Sequence, residues 1–348
     1  MTCYKIPNIS MKKLNIKNLI LTLLGGLLSL TVYSQNPMNN YKNEWDEIVR
    51  LENDGLTKTC LEKAENLYEK IKKDNKNPVR EAQLIKALIH INNYKAQLEE
   101  DGLVKAIYRF QSEAENAEES IKPLLYSMLA EMYDQYLAHH LYKFNNRTEV
   151  LNYDLKDIRT WDVQKITEKC FELYQKSVQF ENTKKTVLND FDAIIYNLKG
   201  NSEIFPTLYD FLIHRALDFF MSEKYYLTKP AFKFYLDNEI YISDAETFLN
   251  SKFVAKDSLS MHFQTLQLFQ KLLDFHINDK NPDAFLHAEL KRLSFVYSNM
   301  ILPQKGKIYY TRLKELTEKF EQNPAVAEVW YKIAEYHYQK GNNYKPSS

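Results

Sequence analysis

The chain has 348 residues, with 46 Lys and Arg balanced by 46 Asp and Glu, and 45% of its residues are hydrophobic. It contains only 7 glycines but 25 tyrosines and 19 phenylalanines. Sheet-rich folds and phosphate-binding loops use glycine at their turns. This composition therefore argues against a β-rich fold and against a glycine-rich nucleotide loop. The balance of apolar and charged residues indicates a folded chain and not a disordered one.

The first 34 residues follow the three-part pattern of a secretory signal peptide. A basic stretch that starts at Met11 contains no acidic residue and leads into Leu19–Leu30, an apolar run of 12 residues. Val32 and Ser34 then offer small or modest side chains before Gln35. A membrane span needs about 20 apolar residues, so we predict cleavage before Gln35 and no span in the mature chain. Met11 is predicted to be the true start.

Residues 35–348 are therefore expected in the periplasm or cell envelope. They carry 42 basic and 46 acidic side chains, a net charge of −4, which argues against nucleic acid as a partner. Two cysteines remain, Cys60 and Cys170. They could form one disulfide, but both lie in helical patterns, which favours burial as free thiols. No CxxC motif or Cys/His cluster occurs, so no metal site is predicted.

Apolar residues recur at helical spacing through most of the chain. The clearest stripe covers residues 125–137, and similar stripes cover 166–178 and 286–297. Between such stretches lie helix breakers, for example Asp54–Gly55 and Asn281–Pro282. The segments they leave are mostly roughly 15–25 residues long, or a small multiple of that, as expected of helical hairpins.

Two stretches, residues 144–160 and 225–243, lack a clean period and are predicted to be long loops. The rest predicts an all-α fold, with one helical-repeat domain over residues 35–348. We expect this domain to be an array of antiparallel helical hairpins that resembles a tetratricopeptide α-solenoid.

The last forty residues give the clearest repeat signal. A tetratricopeptide first helix has Trp, a large aliphatic residue, a small residue and an aromatic at fixed spacing. The matching residues here are Trp330, Ile333, Ala334, His337 (with Tyr338 beside it) and Gly341. Gly341 is predicted to end the helix, and a second helix is expected after the turn. Because the sequence stops shortly after this turn, we expect the natural protein to continue past residue 348.

The sharpest candidate for chemistry is Asp210, His214 and Asp218, which stand four residues apart on a predicted helix. A carboxylate-oriented general base could be built this way. We favour a structural interpretation, in which His214 is paired on a polar helix face, because no nucleophile or glycine-rich loop accompanies it. Asp190 and Asp192 diverge on a helix. HExxH, GxSxG, P-loop and GxGxxG motifs are all missing from the sequence. No catalytic, cofactor-binding or metal-binding residue is therefore predicted.

Several strings, taken together and in order, carry a resemblance to a known family. They are Glu99–Ile107 (EEDGLVKAI), Leu125–Tyr136 (LYSMLAEMYDQY), Asn146–Val150 (NRTEV), Asp157–Asp162 (DIRTWD), Pro206–Phe220 (PTLYDFLIHRALDFF), Leu290–Tyr297 (LKRLSFVY) and Trp330–Asn342. From about Trp45 onward the chain resembles the N-terminal helical region of large bacterial alpha-2-macroglobulin-like proteins.

The resemblance implies an exported protease trap, in which a protease cuts a bait segment and is then enclosed. Some members also capture the protease through a Cys-x-Glu-Gln thioester. Here Cys60 and Cys170 begin Cys-x-Glu strings, but Lys63 and Leu173 replace the required Gln. The bait and thioester would lie beyond residue 348, so no functional residue of the family carries over to this chain.

The sequence therefore predicts a non-catalytic module that is the N-terminal part of an endopeptidase inhibitor. Its expected partners are proteins: its own downstream domains, envelope proteins or proteases. The alternative is a free-standing periplasmic tetratricopeptide-type scaffold that binds peptides or proteins. An all-helical (α/α) glycosidase or lyase is a third, weaker candidate, since carboxylates distant in sequence could pair in the fold.

Overall fold

The computed structural model describes residues 41–145, 154, 156–196, 198, 200–222, 234–256 and 259–342. The predicted signal peptide, residues 1–34, and the Asn146–Val150 string lie outside this part of the chain. The described residues form twelve α-helices joined by turns and short 3₁₀ segments, and they contain no β-strand longer than an isolated bridge. The predicted all-α fold is confirmed. The tetratricopeptide-like solenoid stays a prediction.

The chain divides into two compact units. The described residues up to 202, together with 207–216, form the first, and residues 203–206 with the described residues from 217 onward form the second. The first unit contains α1 (Lys42–Asn53), α2 (Thr57–Lys73), α3 (Arg80–Leu98), α4 (Gly102–Asn116), α5 (Lys122–Asn145), α6 (Val163–Ser177) and the start of α7 (Leu208–Met221). From α1 to α6 each helix packs against the next one in the chain.

The core of the first unit is built from the predicted apolar stripes. On α5, Leu125, Leu129 and Tyr133 are fully buried, and on α6 Ile166 and Cys170 are fully buried. These positions recur at three- and four-residue spacing, so they lie on one side of each helix and meet in the interior. Burial of each such side chain stabilises the fold by roughly 1.5–3 kcal/mol.

A tight turn joins α3 to α4. Asp101 has a left-handed backbone conformation (φ 56°), and Gly102 follows it as the first residue of α4. A Cβ atom on Gly102 would lie 1.9 Å from the carbonyl oxygen of Ala96. Only glycine allows the two helices to approach this closely at the turn.

The segment that precedes α6 is ordered by its own side chains. Asp157 accepts a hydrogen bond from the backbone N–H of Arg159, and Asp162 caps α6 by accepting one from Lys165 (2.7 Å). Trp161 stacks on Tyr133 of α5, with ring centroids 5.9 Å apart. The predicted loop 144–160 begins later than expected, since α5 extends through residue 145.

Helical spacing was predicted for most of the chain, and residues 178–207 depart from that prediction. In their described part they form only 3₁₀ turns, Glu181–Lys184 and Leu188–Phe191, and an isolated bridge to Thr207. Short polar side chains bond to nearby backbone here, as when the Thr183 hydroxyl donates to the carbonyl of Phe180 (2.6 Å). Such bonds compete with the hydrogen bonds of an α-helix.

The second unit contains the end of α7 and five further helices. These are α8 (Ala245–Asn250), α9 (Met261–His276), α10 (Asp283–Asn299), α11 (Lys305–Lys319) and α12 (Val326–Asn342). Asp244 caps α8 and Ser260 caps α9 through side-chain hydrogen bonds. Helices α9 to α12 pack in chain order around buried Leu266, Leu293 and Leu313. The described part of the predicted loop 225–243 is non-helical apart from the 3₁₀ turn Glu239–Ile242.

Candidate functional site

Of the sequence candidate Asp210–His214–Asp218, the Asp210 side chain is engaged at the start of its own helix. The Asp210 carboxylate accepts hydrogen bonds from the backbone N–H (2.8 Å) and the hydroxyl (2.7 Å) of Thr207. The backbone N–H of Asp210 in turn points to the Thr207 hydroxyl (3.4 Å). This reciprocal arrangement is a capping box at the start of α7. Asp210 therefore holds a helix end.

The other two members have different surroundings. His214 is buried, whereas Asp218 is largely exposed and pairs with Lys291 (2.6 Å). On the polar side of α7, Asp210 and His214 are buried. Leu212 and Leu217, on other sides of the helix, are buried as well. The role of Asp210 at the helix start agrees with the structural interpretation.

Asp190 and Asp192 lie at the end of a 3₁₀ turn and not on an α-helix. Partial burial, and secondarily the charge of Asp192, raise the pKa of the Asp190 carboxyl. In the described part of the chain, no group of three or more His, Cys, Asp and Glu side chains is placed to hold a metal ion.

Cys60 and Cys170 are both buried and both free. The predicted burial is confirmed. Cys60 lies against the carbonyl oxygen of Ile48 (Sγ to O, 3.9 Å), and burial together with the nearby charge of Glu52 raises the pKa of its thiol. A protonated, enclosed thiol is a poor nucleophile, so its role is packing.

A buried polar cluster that the sequence did not indicate joins α1 to α3. The Glu52 carboxylate accepts hydrogen bonds from the Tyr94 hydroxyl and from Nδ1 of His90 (3.3 Å). Burial alone would raise the pKa of Glu52, but the His90 and Tyr94 bonds and the charge of Lys86 hold it below its ordinary value. Trp45 lies against the His90 ring, with centroids 5.0 Å apart.

A second buried node, also not singled out from sequence, lies on α10. The Arg292 guanidinium donates to both carboxylate oxygens of Glu289 (2.7 and 2.5 Å). It also donates to the carbonyl oxygens of Tyr241 (2.7 Å) and Ser243 (2.6 Å) and lies 4.2 Å from the centre of the Phe248 ring. The sequence signal for this node was a Glu and an Arg three residues apart within an otherwise apolar helix. Through these contacts Arg292 holds residues 241–248 against α10.

The predicted repeat helix, α12, exposes most of its matching positions. Ile333 is buried, but Trp330, Ala334 and His337 are exposed, and Lys314 of α11 lies 4.9 Å above the Trp330 ring. The prediction that Gly341 ends this helix is wrong, because α12 runs through residue 342 and the glycine keeps a negative φ. A left-handed glycine, the usual stop signal, is therefore not used here.

Tyrosines fill the seam between α10, α11 and α12. Tyr297 and Tyr309 stack with centroids 4.3 Å apart, and Tyr310 stacks on Tyr336 at 5.6 Å. Gly306 makes room for this group, since a Cβ atom there would lie 3.3 Å from the Tyr336 hydroxyl. The abundant aromatic residues serve packing at this seam.

Within the described residues, no helix combines the length and the apolar character that crossing a bilayer requires. Comparison of the chain with protein-family models, curated proteins and solved structures finds no match.

Proposed function

We propose that residues 35–348 form an exported, non-catalytic helical module, the N-terminal part of an alpha-2-macroglobulin-like endopeptidase inhibitor. The module acts by docking to protein surfaces in the periplasm or cell envelope. One observation carries the proposal: described residues of the strings that bear the resemblance hold helices together, as where Arg159 pairs with Asp101 (2.8 Å) and Arg215 pairs with Glu131 (2.7 Å).

Residues from four of the strings each serve a structural contact of the scaffold. Gly102 makes the α3–α4 turn, and Trp161 stacks where the chain enters α6. Asp210 caps α7, and Arg292 anchors residues 241–248 to α10. The ionisable groups among them bond to structural partners. Residues that make structural contacts favour a binding function for the module over a catalytic one.

Proteins are the partners that this surface suits. The exposed side of α12 carries Trp330, Tyr331 and Tyr338. Aromatic side chains of this size are enriched at protein interfaces and supply most of their energetic anchors. The downstream domains of the same protein, envelope proteins and proteases are the candidates.

The reading frame past codon 348 tests the proposal directly. β-sandwich sequence downstream, with a bait segment, supports the inhibitor. A stop codon after one further helix contradicts it and supports the second candidate, a free-standing tetratricopeptide-type scaffold. The match of Trp330, Ile333 and Ala334 to the repeat pattern favours that second candidate.

Two variants test whether the chain is an enzyme. Asp210→Ala and His214→Ala proteins, each checked for helix content by circular dichroism, are compared with the parent chain on a panel of glycoside and polyuronide substrates. We expect no turnover from any of the three. Turnover by the parent that His214→Ala abolishes without loss of structure would contradict the non-catalytic proposal.

A further inference from the structure

One side of α12 carries an exposed stripe of alternating small and ring-bearing residues, on which Lys314 partly covers Trp330 and Tyr310 contacts His337. Its members are Ala327, Trp330, Tyr331, Ala334, His337, Tyr338 and Gly341, and all seven are exposed. Three- and four-residue spacing places them on the same side of the helix. Val329 and Ile333 face the other way and are buried.

The stripe has the same order in both chain directions. It reads small, ring, ring, small, ring, ring, small, with Ala334 at its centre. A two-fold contact between identical chains requires a surface that is complementary to itself. In an antiparallel pair of α12 helices with the axis at Ala334, residue 327 meets residue 341 of the second copy and Trp330 meets Tyr338. Small residues then face small residues, which allows close approach, and rings lie against rings.

A parallel pair suits the stripe less well. Every residue would face its own copy, so that the two Trp330 rings would meet each other, as would the two His337 rings. In the antiparallel pair His337 meets Tyr331 instead. Antiparallel helices also oppose their dipoles, which favours that orientation.

The exposed area is sufficient for a weak dimer. Trp330, Tyr331 and Tyr338 are 50%, 57% and 71% exposed. Side chains of this kind present about 150–250 Å² each, so the three expose on the order of 350 Å². With the other four residues the patch reaches the few hundred Å² of a monomer's largest exposed patch, which is often functional. It stays below the roughly 800 Å² per partner of a standard stable interface.

We propose that α12 is a self-association surface: a second copy of this chain packs its own α12 antiparallel across Ala334 and forms a reversible homodimer. This proposal does not depend on the inhibitor assignment, and it assigns the α12 side to a second copy in place of the protein partners named above.

Sedimentation velocity over a range of protein concentrations tests the association. The parent protein should shift from monomer to dimer as its concentration rises. Ala334→Glu, which places two carboxylates on the axis, should remain monomeric. Ala138→Glu on α5 makes the same change at another exposed alanine and should dimerise like the parent. A parent protein that stays monomeric at every concentration would overturn the proposal and leave the stripe to another occupant, such as a helix of a longer chain.

Engineered cysteines test the geometry. Ala334→Cys should form an intermolecular disulfide under mild oxidation, because residue 334 meets itself on the axis. Ala327→Cys should not, but the Ala327→Cys/Gly341→Cys double variant should. The native Cys60 and Cys170 thiols are buried and serve as the internal control. Efficient disulfide formation by Ala327→Cys alone would indicate a parallel pair and overturn the antiparallel arrangement.

Discussion

Arg292 lies between the carboxylate of Glu289 and the ring of Phe248, and its side chain has no exposed surface. A charge so deeply buried is tolerated because four of the five N–H donors meet acceptors and the guanidinium lies over an aromatic ring. The carbonyl oxygens of Tyr241 and Ser243 complete that set. The pair is therefore the point at which three segments of the second unit are joined.

Arg292→Ala should lower the free energy of unfolding by roughly 3–5 kcal/mol, because it leaves Glu289 charged, buried and unpaired. Arg312→Ala is the matched control: Arg312 pairs with Glu315 at the same three-residue spacing but is partly exposed. That control should cost at most about 1 kcal/mol. Urea unfolding followed by circular dichroism measures both variants. Equal losses in the free energy of unfolding would show that the buried pair stabilises the fold no more than the exposed one.

Gly102→Ala should destabilise the first unit. The added Cβ atom would overlap the Ala96 carbonyl, so the backbone must move, at a cost of roughly 1–3 kcal/mol or more. Gly341→Ala provides the comparison, because no atom lies within 4 Å of its Cβ position. In a helix that change should be neutral or stabilise by up to about 1 kcal/mol. Thermal unfolding distinguishes them, and a Gly102→Ala protein as stable as the parent would refute the close approach.

Asp210→Ala should cost roughly 1–3 kcal/mol, since it removes one half of the capping box of α7 and leaves the partly buried Thr207 N–H without its acceptor. Asp218→Ala on the same helix loses only an exposed ion pair with Lys291 and should cost at most about 1 kcal/mol. Denaturant midpoints give the ranking. The reverse ranking would mean that the capping box contributes little.

Glu52 should make stability fall in acid. Its folded-state pKa lies below the ordinary value of 4.5, so its contribution is complete above that pH and disappears as the pH drops through the lower, folded-state value. Glu52→Gln should therefore reduce stability at neutral pH and flatten its decline below about pH 4.5.

Glu47→Gln, which removes a surface pair with Lys63, is the control for this pH experiment. Its stability curve should run nearly parallel to that of the parent chain, because exposed pairs contribute little. If the Glu52→Gln and parent curves also run parallel across acid pH, the Glu52 carboxylate does not carry the effect.

Local periodicity was enough to predict the helices that form the cores. The stripe at residues 125–137 predicted a buried helix side, and Leu125, Leu129 and Tyr133 are buried as expected. Spacing within one helix needs no knowledge of the rest of the fold. Residues 178–207 could not be predicted the same way, because side-chain bonds such as Thr183 to Phe180 decide that backbone.

The polar residues were harder to interpret, for two different reasons. The Thr207-x-x-Asp210 spacing could have indicated a capping box, but the four-residue spacing of Asp210 and His214 also fitted a catalytic face. Arg292 owes its burial to Tyr241 and Phe248, which are some fifty residues away along the chain. A single sequence does not reveal which distant segments meet.

The chain has three tryptophans, and their surroundings differ in a way that makes the protein its own optical probe. Trp45 and Trp161 are enclosed, whereas half of Trp330 faces water beneath the Lys314 ammonium. Indole emits at longer wavelength when water surrounds it, so the red edge of the intrinsic fluorescence belongs mainly to α12. Iodide should quench that component first, and any molecule that settles on the helix should shield it from the quencher.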